Sequence, residues 1–128
     1  MIKMTQEEVN EALRLHRLYL EDRTGKRADF KYKDLSHIDL SYSDLRSAIF
    51  RDTNLSGANL RGANLKWADF WCSKLIGTNL TWANLDGAIL CYADLSFADL
   101  SYANLRRASL GDANLSDVRL RGTKFKED

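Results

Sequence analysis

Ala58-Asn59-Leu60-Arg61-Gly62-Ala63-Asn64-Leu65 states a rule in eight residues: a small side chain, an Asp or Asn, a Leu, two variable positions, and then the same again. Followed outward in both directions, the rule holds from residue 28 to residue 125. Every fifth residue, from Phe30, Leu35 and Leu40 to Leu120 and Phe125, is Leu or Phe, twenty in one unbroken register. Ala recurs two positions earlier, at Ala58, Ala63, Ala68, Ala83, Ala93, Ala98 and Ala103. A repeat this strict governs the architecture before any local reading of helix or strand. A straight helix fails, because five residues advance about 140° at about 100° per residue and would scatter the leucines around the cylinder. A flat strand fails as well, because side chains alternate and an odd period would throw successive leucines onto opposite faces. The chain must therefore bend once per repeat, with Ala and Leu or Phe inward, Asp or Asn outward, and the two variable residues at a corner.

Phe30, Phe50 and Phe70 are spaced by twenty, so four repeats per coil would stack their rings. With the motif quoted above, the chain resembles the pentapeptide-repeat family over about three quarters of its length. The resemblance implies an all-β solenoid, a right-handed quadrilateral β-helix, here of about five coils. At the usual strand spacing of about 4.8 Å such a rod would be about 24 Å long. Each coil buries its leucines only against its neighbours, as in other solenoids, so nearly every Leu, Phe and Ala of the repeats is expected to be core.

The expected division is a capping helix and linker over 1–27, the β-helix over 28–125 and a short tail over 126–128. Thr5 followed by Glu8 makes a capping box, with Glu7, Glu8 and Glu11 where a helix start favours negative charge. Val9, Ala12, Leu13, His16, Tyr19 and Leu20 then recur at helical spacing, and Gly25 offers a stop. The apolar face of this helix would cover the first coil. The coil of Leu110, Leu115, Leu120 and Phe125 is expected to be uncovered and to pair with a second copy, giving a homodimer. Family members often dimerise through that end.

Lys and Arg number 19 against 18 Asp and Glu, and within 28–125 the balance is 12 against 11, so there is no global signature of a nucleic-acid binder. No run approaches 18 apolar residues and no signal peptide is evident, which leads to the expectation of a cytoplasmic protein without membrane contact. Neither His16 nor His37 belongs to a metal or triad spacing. The recurring Asp and Asn reflect a local need repeated on every side of the coil. Cys72 and Cys91 fall diagonally on adjacent coils but read as reduced, ordinary side chains. No phosphate loop or nucleophile elbow is present. The expectation is a non-enzymatic protein without cofactor or metal.

What remains is the outside of the rod. On one face Ile49 and Ile89 stand where the repeat supplies Asp or Asn, with Trp71, Cys72, Cys91 and Tyr92 beside them. The adjoining side carries Arg46, Lys66, Arg106, Trp67 and Arg107, interrupted by Asp86, and with Trp71 it reads as one basic and aromatic stripe. Contiguous apolar surface marks a partner site, and Trp and Arg dominate such sites. A protein partner therefore ranks first. The resemblance implies a DNA-mimic modulator of DNA gyrase or topoisomerase IV as a second reading, and an inhibitor from a phage or mobile element acting on a host defence complex as another. Direct nucleic-acid binding ranks below these, and a structural scaffold last. Tyr42, Trp82 and Tyr102 form an exposed column read as structural.

Overall fold

The computed structural model describes residues 1–125; the tail expected at 126–128 lies outside the described residues. From Asp29 onward the chain is a parallel β-helix whose bridges join residues twenty apart, Asp29 to Ile49, Asp34 to Asn54, Asp39 to Asn59 and Asp44 to Asn64, so one turn has four sides. The bend expected in each repeat is a β-turn. The N–H three residues after each Leu or Phe donates back to its carbonyl, as Ala63 does to Leu60 at 3.1 Å. The third turn residue lies in the left-handed region, with φ between +54° and +72°, as a type II turn requires. The preceding Asp or Asn completes the corner. Asn59 Oδ1 accepts from the Arg61 N–H, and Asn79 Oδ1 from the Thr81 N–H, both at 3.0 Å. This local hydrogen bond, two residues on, is why these residue types recur. From Phe30 to Leu105 the N–H of each inward Leu or Phe then donates to the next coil, Leu60 to Asn79 O at 2.7 Å.

The inward leucines from Leu35 to Leu100 and all three of Phe30, Phe50 and Phe70 are buried. Their rings stack as the twenty-residue spacing demands, at 5.3 Å between Phe30 and Phe50 and 4.8 Å between Phe50 and Phe70. Where Thr replaces the small residue, its hydroxyl donates to a carbonyl of the preceding coil, Thr53 to Phe30 and Thr78 to Leu55, so the polar group is satisfied inside.

The N-terminal segment does more than the expected apolar covering. Helix α1 (Gln6–Asp22) has the predicted capping box between Thr5 and Glu8, and Val9 is fully buried against the core. Before it, β1 (Ile2–Lys3) pairs in parallel with β2 (Lys33–Asp34) of the first coil, a strand the sequence reading did not contain. Gln6 uses its amide as a surrogate strand, donating to Asp39 O at 2.8 Å and accepting from Asp39 N at 2.9 Å. His16, placed by the sequence among the helically spaced residues of α1, is completely buried and bonded to Ala28 and Arg46. Backbone edge groups of the first coil at Ala28, Asp34, Asp39 and Arg46 thus find partners. The helix ends at a left-handed Arg23, not at Gly25. Gly25 serves a close approach instead, since a Cβ there would lie 1.9 Å from Leu15 O.

Candidate functional site

The column Asp29, Ile49, Asp69, Ile89, Ser109 runs up the middle of one face. Ile49 is half-buried and Ile89 is 39% exposed. An isoleucine cannot accept the Arg51 or Cys91 N–H as Asp or Asn would, so both positions give up a corner bond that most repeats keep.

The corner that follows this face holds Trp71 and Tyr92, whose rings meet edge to face at 5.9 Å. Arg51, one coil before Trp71, lays its guanidinium 4.7 Å over the indole and reaches Asp69 at 3.5 Å. Arg51 was absent from the sequence-based candidates, although its position twenty residues before Trp71 was the available signal. The corner that precedes the face holds Trp67, 48% exposed, with Lys66 5.7 Å and Arg107 5.3 Å from its ring. Trp67 and Trp71 therefore flank the isoleucine column from opposite corners. The single stripe expected to contain both is corrected, because residues 68–70 form the side between them.

The stripe's charge is also smaller than its residue types suggested. Asp44 holds Arg46 through two contacts, at 2.9 and 2.8 Å, and Asp86, nearly buried, holds Arg107 at 2.9 and 2.6 Å. Asp86 is not an interruption but the anchor of Arg107, whose guanidinium keeps the Asp86 carboxyl below its usual range. The Arg46 guanidinium does the same for Asp44. Arg106 is half-buried at the same corner.

At the Trp67 corner and at others the large rings cover glycines of the following coil. A Cβ on Gly62 would lie 2.5 Å from the Tyr42 ring, and one on Gly87 2.2 Å from Trp67. Trp82 and Tyr102 stack at 4.6 Å. Among the self-association candidates Leu110 is half-buried, while Leu115, Leu120 and Phe125 are 36%, 38% and 42% exposed.

Among the described residues no group of three or more His, Cys, Asp or Glu could hold a metal, and no helix is long and apolar enough to cross a membrane. The Cys72 N–H donates to Cys91 O at 3.0 Å, yet both thiols are free. Burial pushes the Cys72 thiol above its ordinary value, away from thiolate reactivity.

No curated protein matches the chain significantly. Among solved structures it is similar to a pentapeptide repeat protein of the Arabidopsis thaliana thylakoid lumen, at 29% identity and TM-score 0.46, over 75% of this chain and 60% of that one. The chain thus spans less than two thirds of that protein's length. A pentapeptide repeat protein from Nostoc is 26% identical, with TM-score 0.45, over 99% of this chain and 88% of the other. A trypsin-treated form of QnrB1, a plasmid-mediated fluoroquinolone resistance protein, is 23% identical with TM-score 0.45, over 84% and 69%. A family model described as pentapeptide repeats matches residues 34–71, 63–96 and 89–127, in 8 copies. Those overlapping segments extend through most of the chain and carry the five-residue corner throughout, and the chain accordingly belongs to the pentapeptide repeat family.

Proposed function

We propose that this protein is a non-enzymatic interaction protein, a right-handed rod of about five coils capped by residues 1–27, which binds and inhibits or protects a protein partner in the cytoplasm. The binding face is the one centred on Ile49 and Ile89 and flanked by Trp67 and Trp71. The observation that carries this reading is the exposure of Ile89 beside a 57% exposed Tyr92, at a position of the repeat that elsewhere mostly makes a corner hydrogen bond. Clustered aromatic and apolar surface of this kind supplies the anchors of protein interfaces.

Pairing of Arg46 with Asp44 and of Arg107 with Asp86 lowers the positive potential available to phosphates, which ranks nucleic acid below protein. A nucleic-acid-handling enzyme or complex is the partner class to test first, with DNA gyrase and topoisomerase IV as purified candidates for the DNA-mimic reading and host defence complexes as the next. Binding is measured for the protein and for a Trp71→Ser, Ile89→Ser variant across a salt series. The variant is expected to lose about 30-fold or more in affinity, as removal of a central anchor does, with little change on adding salt. Unchanged affinity in the variant, or binding that falls steeply with salt, would reject the face.

Self-association is a second reading, favoured by the exposed apolar side chains of Leu115, Leu120 and Phe125. Light scattering at tens of micromolar is expected to show a dimer that Leu120→Glu or Phe125→Asp converts to a monomer. A monomeric unsubstituted protein would end it.

A further inference from the structure

His16 is the one histidine buried completely, and both of its ring nitrogens are committed to the first coil. Nδ1 accepts the Ala28 N–H at 2.9 Å, and Nε2 lies 3.0 Å from Arg46 O, to which only an N–H can donate. The two partners fix the neutral tautomer with its proton on Nε2. Ala28 opens the first side of the coil and Arg46 lies at the corner before that coil closes. One imidazole therefore ties the middle of α1 to both ends of a single turn.

We propose that His16 is a proton-operated latch: a proton on Nδ1 sets two N–H groups against one another, breaks the bond to Ala28, and releases α1 from the first coil. The Arg46 carbonyl and Asp44 favour the cation, but burial outweighs both. On its own helix it meets the Tyr19 ring, stacked at 5.9 Å. From the coil side the charged groups that face it are Asp44, Arg27 and Arg46. The one anion among them, Asp44, is already gripped by Arg46 at 2.8 Å. Burial, the largest influence, holds the docked imidazole below its ordinary value.

The direction of the pH effect follows. With the docked value lowered and the undocked value near about 6.5, docking is at full strength above that pH. It weakens as pH falls from there toward the docked value, by up to about tenfold per pH unit. The carboxylates at the start of α1 keep their charge as the latch opens, because hydrogen bonds from Thr5 lower the Glu8 carboxyl and Arg14 lowers that of Glu11. The released state has α1 lifted from an open first coil whose backbone edge and Phe30 ring have lost their cover. Mild acid thus converts a capped β-helix into one with a free pairing edge, without unfolding the remaining coils.

The test is amide hydrogen exchange of the full chain at pH 7.5 and 5.0, corrected for intrinsic rates. Protection of the Ala28, Met4 and Asp39 amides, which donate across the seam to His16, Asp34 and Gln6, is expected to fall by up to about 30-fold relative to Leu60, Leu65 and Leu80. His16→Gln should make that ratio independent of pH, whereas His37→Asn should leave the pH dependence intact. An equal ratio at both pH values overturns the proposal, as does the same pH dependence in His16→Gln. Should that variant fail to fold, NMR titration of the ring nitrogens in the unsubstituted protein decides. A ring protonating below the ordinary value together with Ala28 deprotection supports the latch, and any other pattern rejects it.

Discussion

Phe50→Ala is expected to destabilise the protein by about 3–5 kcal/mol, the largest loss from any single truncation of the core. Phe50 is fully buried and is the middle ring of three, 5.3 Å from Phe30 and 4.8 Å from Phe70. Its removal takes away its own burial and one face of each neighbouring stack. The cavity cannot collapse easily, because backbone bonds such as Phe50 N to Asp69 O at 2.7 Å hold the coils at fixed spacing. Leu80→Ala, at a site without ring stacking, should cost about 2–5 kcal/mol. Asn79→Ser should be far milder, since a serine hydroxyl can still accept the Thr81 N–H that Asn79 caps. Denaturant unfolding monitored by circular dichroism measures all three. A Phe50→Ala midpoint close to that of Asn79→Ser would contradict the stacked core.

The second large effect belongs to a residue without a side chain. Gly25→Ala is expected to cost about 1–3 kcal/mol, the range for forced overpacking, and to do so at the cap. The new Cβ would meet Leu15 O at 1.9 Å and Tyr19 N at 2.8 Å, both backbone atoms, as well as Leu18 Cβ at 2.7 Å. No rotamer relieves such contacts. The chain is drawn into this approach by the Lys26 N–H, which donates to Leu15 O at 3.0 Å. That bond would be lost as the linker lifts from the helix. Hydrogen exchange should show weakened protection in α1 with the middle coils unaffected. Wild-type protection throughout α1 would refute it.

The period of five made the coil legible, because one inward residue per corner leaves few other paths, and the phenylalanine spacing supplied four sides per turn. The left-handed corners were not legible. Tyr42, Trp67, Trp82 and Tyr102 occupy a conformation usually left to glycine. They are held there by the ladder, as when the Trp82 N–H donates to Ser101 O at 3.1 Å. The cap was legible as a helix through Thr5 and Glu8. The roles of Gln6 and His16 were not, because a side chain that replaces a missing strand is defined only once the edge it meets exists. The same reason governs the candidate face. Ile49 and Ile89 break a repeat and so announce themselves, but the neutralisation of Arg107 by Asp86, 21 residues away, depends on the coil pitch bringing them together.

The most direct test of the interaction face is site-specific photo-crosslinking. A benzophenone side chain is placed at Ile89, and in a separate protein at Asn79 on the opposite face, each in cells that express the protein. A discrete protein adduct of constant mass is expected from position 89 and none from position 79. Adducts from position 79 alone, equal labelling from both positions, or no adduct from position 89 would contradict it.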